Sequence, residues 1–73
     1  MLNRQVVHEV SQEIFRRFPE FRGVRPQVRD QGNGAYLLTF HTKASLPGNK
    51  ALPQWVRAVV NDQGKILKVS TSH

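Results

Sequence analysis

The feature that most constrains this chain is a pair of alternating segments near the C-terminus, separated by a turn sequence. The segments are residues 55–60 and 65–70, and the turn is residues 61–64, Asn-Asp-Gln-Gly. Alternation of apolar and polar residues predicts β-strands. Asn, Asp and Gly favour turns because they bond nearby backbone or tolerate a positive φ. These residues therefore predict a β-hairpin.

A four-residue turn sets which residues of this hairpin face each other. The expected pairs are Val60 with Lys65, Ala58 with Leu67 and Val56 with Val69, which gives one mostly apolar face. The opposite face then carries Trp55, Arg57, Val59, Ile66, Lys68 and Ser70. A tryptophan beside two cations on an outward face is unusual, and it favours binding over chemistry.

The N-terminal segment predicts an amphipathic helix from about Leu2 to Phe18. Its apolar residues recur at steps of three and four: Leu2, Val6, Val7, Val10, Ile14, Phe15 and Phe18. Glu13 and Arg17 form an i,i+4 pair in the favourable order. Pro19 ends the helix, and Phe21 can fold back onto the core from the corner that follows.

The middle of the chain predicts two more strands and a loop. The period becomes two at Val24, and Pro26 assigns the strand that begins there to a sheet edge. Residues 30–34 are a turn by composition, and residues 35–43 alternate again. Residues 44–53 contain two prolines and a glycine, and they predict a long mobile loop.

The predicted fold is a single α+β domain over residues 1–73. One N-terminal helix packs on a four-stranded antiparallel meander in two layers, in the order α-β-β-β-β. The sheet face away from the helix, here called the outward face, carries cations and apolar residues with no carboxylate. Its predicted members are Arg25, Arg29, Leu37, His41, Lys43, Trp55, Arg57, Val59, Ile66 and Lys68.

The C-terminal hairpin resembles the closing hairpin of PepSY-like domains. In those domains an alternating strand meets an acidic-Gly turn and a strand of the Gly-Lys-Ile-Leu type, here residues 60–67. They also place a helix before antiparallel strands. The resemblance covers about twenty residues and the order of elements. It implies a small α+β domain of a kind that usually has an inhibitory or exported role.

Composition excludes several classes of function. The chain contains no cysteine, so it has no disulfide, thiolate metal site or thiol nucleophile. Its histidines, His8, His41 and His73, lack metal-ligand spacing, and the carboxylates suggest no acid–base pair. No nucleophile elbow or phosphate-binding loop is present. We therefore predict a protein that is not an enzyme and binds no cofactor or metal.

Length, charge and hydropathy suggest the kind of partner. A chain of 73 residues supports a small core, so a homodimer is expected, and the formal net charge of +6 favours polyanions or simply solubility. No apolar run reaches the length of a membrane span, and the N-terminus reads as a cytoplasmic start. No membrane partner is expected.

Two hypotheses use the outward face. In the first, Leu37, Trp55, Val59 and Ile66 form an interface with a second copy or another protein, with cations at the rim. In the second, Trp55 and His41 stack on the bases of single-stranded nucleic acid, while the cations neutralise phosphates. A third interpretation gives Trp55 no function and covers it with the loop at 44–53.

Overall fold

A computed structural model describes residues 2–72 and confirms the predicted α+β class. The elements are α1 (Arg4–Arg17), a 3₁₀ turn (Pro19–Phe21), β1 (Gln27–Gly32), β2 (Ala35–Leu46), β3 (Lys50–Asn61) and β4 (Ile66–Thr71). The four strands form one antiparallel sheet in the order β1-β2-β3-β4. The terminal residue His73, considered above as a ligand, lies outside the described residues.

Helix α1 ends where the sequence predicts, and it begins at Arg4, two residues after the predicted start at Leu2. The Asn3 side-chain oxygen accepts a hydrogen bond from the Gln5 backbone N–H at 2.7 Å, which satisfies one free donor of the first turn. Phe18 caps the other end, directly before Pro19. The predicted Glu13–Arg17 pair is present with N···O 3.6 Å. Local chemistry therefore sets both ends of the helix.

The core lies between α1 and one face of the sheet. Its buried members are Val10, Ile14, Phe21, Tyr36, Leu38, Phe40, Val56, Ala58 and Val60. The rings of Phe15 and Phe40 meet edge to face, with centroids 6.0 Å apart, and so join helix to sheet. Phe21 is 1% exposed, which confirms that it folds back onto the core. Burial along residues 35–43 and 55–60 follows the alternation read from the sequence.

The pairing predicted for the C-terminal hairpin is wrong. The observed partners are Val60 with Ile66, Ala58 with Val69 and Val56 with Thr71. Asn61 causes part of the difference: its side-chain oxygen accepts from the backbone N–H groups of Gln63 (3.0 Å) and Lys65 (2.9 Å), so the loop has three residues. A bulge then leaves Leu67 unpaired and 54% exposed.

The first strand is also shifted from its predicted position. It begins at Gln27, so Val24 and Pro26 precede it, and it continues through Asp30 to Gly32 with a bulge. Gly23, at φ +82°, turns the chain immediately before this segment. Val28 faces the helix side opposite Leu38, as predicted, but it is 44% exposed at the sheet edge.

The largest correction concerns residues 44–53, which are not a loop. Strands β2 and β3 stay in register from Ala35–Asn61 to Leu46–Lys50, with only residues 47–49 as the turn. Gly48 and Asn49 adopt the positive φ values that this turn requires. We call residues 42–54 the arm, because no helix covers them, and the molecule is 45 Å long and 19 Å wide.

Candidate functional site

The outward face consists of side chains that alternate with the buried ones along all four strands. Because successive strand residues point to opposite sides of a sheet, burial of Leu38, Phe40 and Ala58 against the helix layer places their neighbours outside. Cross-strand pairing then arranges the outward residues in rows that run across the sheet. The rows define the geometry of the candidate site.

The central row crosses all four strands with cations at both ends. Arg29 pairs with Leu37, Leu37 with Val59, and Val59 with Lys68. Leu37 and Val59 are half-buried, whereas Arg29 and Lys68 are exposed. The row therefore has an apolar centre with a positive charge at each edge of the sheet.

Trp55 and Arg57 form the most structured part of this face. The Arg57 guanidinium carbon lies 4.4 Å from the centroid of the Trp55 ring, a cation–π contact. The Trp55 backbone N–H donates to the Ser72 hydroxyl at 3.2 Å, and the Ser72 N–H donates to the Trp55 carbonyl at 3.1 Å. The strand that carries the ring is thus bonded on its β4 side. Trp55 is half-buried, so the residue keeps some contact with solvent.

The next two rows lead from Trp55 onto the arm. His41 pairs with Trp55, and Lys43 pairs with Pro53. These four residues line a shallow depression of about 250 Å³. Since residues 44–46 and 50–53 extend β2 and β3 and only residues 47–49 turn, this segment does not fold over Trp55, and the interpretation of Trp55 as a residue covered by a loop is wrong.

The electrostatic character of the outward face is uniformly positive. Arg29, Lys43, Arg57 and Lys68 are exposed there, and none of them is in an ion pair within residues 2–72. Asp30 has the opposite orientation, because it pairs with buried Tyr36, and Asp62 lies in a turn. An approaching partner therefore meets cations without neighbouring carboxylates.

Eight of the ten predicted site residues are brought together, and two are not. Ile66 packs against the core, because the three-residue loop places it opposite buried Val60. Arg25 precedes β1 and lines a groove beside α1, together with Val7 and Phe15. The eight that share the outward face are Arg29, Leu37, His41, Lys43, Trp55, Arg57, Val59 and Lys68.

Sequence reasoning missed two contributors to this face. Thr39 pairs with Arg57 and fills the row between the central row and Trp55. Ser72 bonds the backbone of Trp55, although it lies after the last strand. The alternation of β2 already indicated that Thr39 points outward, whereas nothing local to Ser72 indicated its contact across the hairpin.

Within residues 2–72, no three His, Asp or Glu side chains come close enough together to hold a metal ion. None of the helices described there has both the length and the apolar character needed to cross a bilayer. Comparisons of the chain with protein-family models, with curated proteins and with solved structures find no match.

Proposed function

We propose that this protein is a non-enzymatic binding module that recognises another protein through its outward face. The central row carries the proposal. It places half-buried Leu37 and Val59 between exposed Arg29 and Lys68. An apolar centre with a charged rim is the common arrangement of protein interfaces. We also propose a cytoplasmic location. The resemblance of the C-terminal hairpin to PepSY-like domains stays a prediction from the sequence.

Trp55 and Arg57 are the proposed anchors of the interface. Tryptophan and arginine are enriched among residues that dominate binding energy, because each offers a large contact area and specific geometry. Their stacking at 4.4 Å holds the guanidinium against the ring before any partner arrives. A side chain that is already ordered loses less conformational entropy on binding.

Charge selects the kind of protein partner. Two copies that met face to face would oppose exposed cations with cations, with no carboxylate on either outward face of the described chain. Like charges in an interface are unfavourable. Self-association through this face, one of the two forms of the original hypothesis, is therefore disfavoured. An apolar patch rimmed by Asp and Glu is the complementary surface.

Single-stranded nucleic acid is the second candidate, and the row of His41 and Trp55 supports it. Both rings lie on the outward face in adjacent strands, beside Lys43 and Arg57. Base stacking contributes about 1–3 kcal/mol per base. The cation over the Trp55 ring already occupies one stacking surface, however, and Tyr36 and Phe40 are buried in the core. Protein binding therefore fits the geometry better.

The test compares Trp55→Ala with Gln12→Ala, a control at an exposed position of α1. Each immobilised variant is used to capture partners, and affinities are then measured by calorimetry with the purified partner. Loss of a hot-spot tryptophan weakens binding by about 2 kcal/mol or more, roughly thirtyfold. Gln12→Ala should bind like the wild type, and circular dichroism verifies that both variants fold.

A salt series separates the two candidates. A mixed-sequence single-stranded oligonucleotide bound through four cations would show log K falling with log salt at a slope of about −3. A protein interface centred on Leu37 and Val59 should change much less. Partner binding that Trp55→Ala leaves intact would refute the protein hypothesis, and steep salt-dependent oligonucleotide binding would favour the alternative.

A further inference from the structure

The arm has two open edges, because the outer strands β1 and β4 of this open sheet do not extend along it. Strand β1 accompanies β2 only as far as the Gln27–Thr39 pair, and the chain on the β4 side bonds to β3 only as far as Trp55 and Ser72. Residues 45–53 are all exposed. A two-stranded hairpin in water is marginally stable without a further strand or a packed face. The arm therefore has the form of an element that pairs with something outside its own chain.

The hydrogen bonds of the β3 backbone show which of its groups point to each edge. The Trp55 N–H and C=O both bond to Ser72, and the Asn61 N–H bonds to the Lys65 carbonyl. Odd-numbered residues of β3 therefore direct their backbone groups away from β2. Because directions alternate along a strand, Ala51 and Pro53 do the same. Their partners across the hairpin, Ser45 and Lys43, direct theirs away from β3.

The two edges consequently differ in their capacity to pair. On the β3 edge, Pro53 stands where a donor is needed and has no N–H, so this edge resists strand addition. On the β2 edge, His41, Lys43 and Ser45 each offer an N–H and a carbonyl. All three are exposed, and no strand pairs with them within residues 2–72.

We propose that the β2 edge of the arm pairs antiparallel with the same edge of a second copy, forming a weak two-fold dimer. A segment that pairs with itself across a two-fold axis makes an isologous contact, in which every bond occurs twice. The chain is small, and additional burial is one of the few ways in which it can gain stability. This inference does not depend on the proposed function of the outward face.

Backbone direction and charge select one register for this pairing. With Ala44 opposite Ala44 of the second copy, Lys43 faces Ser45 in both halves, and each such pair exchanges two hydrogen bonds. A register one pair closer to the sheet sets Lys43 against Lys43, and like charges directly opposite are destabilising. In a register one pair closer to the tip of the arm, Ser45 faces Ser45 and Lys43 faces Pro47, which has no N–H to donate. Among these three registers, the Ala44 register is the one that satisfies both requirements.

The proposed dimer has two consequences that follow from its geometry. Outward residues pair with outward residues, so both outward faces lie on the same side of one continuous sheet. Each chain has a formal net charge of +6, so repulsion between copies opposes pairing. Salt screens that repulsion, and the dimer should become tighter as ionic strength rises. This is the opposite of the salt dependence of phosphate binding.

The test uses two substitutions on one rung of the arm, because Ser45 and Ala51 are cross-strand partners. Ser45→Pro removes an N–H from the open β2 edge, and Ala51→Pro removes one from the edge that Pro53 already blocks. Neither N–H serves the hairpin itself. Sedimentation equilibrium should show a concentration-dependent dimer for wild type and Ala51→Pro. In the Ser45→Pro variant, the dissociation constant of the dimer should be at least about tenfold higher than in the wild type.

Amide exchange of the unmodified protein gives a second measurement that needs no variant to fold. Raising the concentration should slow exchange at Lys43 and Ser45 and leave exchange at Ala51 unchanged. A wild type that stays monomeric into the millimolar range would overturn the proposal, as would a dimer that survives Ser45→Pro. Trp55→Ala should dimerise normally, which separates this result from the test of the outward face.

Discussion

The two ends of the β2–β3 hairpin share their strands and their register but not their environment. At one end, Leu38, Phe40 and Ala58 are fully buried beneath α1. At the other end, Leu46 is 42% exposed and Leu52 is 48% exposed, although both point to the same side of the sheet as the core residues. Alternation predicts the side on which a residue lies, and helix coverage decides whether that side is buried. Leu46 and Leu52 thus continue the apolar side of the hairpin beyond the part that α1 covers.

The sharpest test of this comparison replaces leucine by alanine at each end. Leu38→Ala leaves a cavity in a closed core and should cost about 3 kcal/mol, most of the net stability expected for a chain of this size. Leu52→Ala, on the same side of the same hairpin, should change the free energy of unfolding by less than about 0.5 kcal/mol. Urea denaturation followed by circular dichroism measures both. Equal losses would show that the arm is packed in solution.

Glycine offers a second comparison with a smaller expected effect. Gly64 and Gly48 both have positive φ, +87° and +80°. A Cβ on Gly64 would lie 2.8 Å from a Val6 methyl carbon, whereas a Cβ on Gly48 meets nothing within 4 Å. Gly48→Ala should cost about 1 kcal/mol from the strain of the positive φ alone, and Gly64→Ala about 2 kcal/mol because the clash adds to that strain. Thermal unfolding measures the difference, and a larger loss at Gly48 would contradict it.

The smallest expected effect concerns association rather than folding. In the proposed dimer, Ser45→Glu sets a carboxylate opposite Lys43 of the second copy, once in each half. Opposite charges across a strand pair contribute about 0.2–1 kcal/mol, so the dissociation constant should fall by between about twofold and about thirtyfold for the two pairs. Ala51→Glu adds the same charge to the cross-strand partner of Ser45, at the β3 edge that Pro53 blocks. Its dimer affinity should therefore increase less. Sedimentation at low salt compares them, and equal gains would rule out the Ala44 register.

Sequence reasoning recovered the class of the fold and most of the candidate face because both depend on short-range pattern. The helical stripe ending at Pro19 and the alternation of Tyr36, Leu38 and Phe40 are local signals, and the structure confirms them. The outward positions of Trp55, Arg57 and Val59 follow from the same alternation. Each of these residues required only its neighbours along the chain to be assigned.

The errors arose where one residue changes the geometry of many. Asn61 shortens the turn by accepting two backbone hydrogen bonds, and this places Ile66 on the core side of the sheet, opposite Val60. The bulge at Leu67 then returns Lys68 to its predicted position on the outward face. In residues 44–53, proline-rich composition indicated a loop. Pro53 is nevertheless accommodated in β3 because its nitrogen faces an open edge, where no ladder bond is lost. Such placement is invisible until the strand directions are known.

The contact between Trp55 and Arg57 gives the molecule an optical reporter of its own. Trp55 is the single tryptophan of the chain, and its ring lies on the outward face between the helix-covered end of the hairpin and the arm. Its fluorescence therefore comes from one defined place, and displacement of the Arg57 guanidinium alters the polarity around that ring. Emission wavelength and iodide quenching can follow occupancy of the outward face in the unmodified protein, without any attached dye.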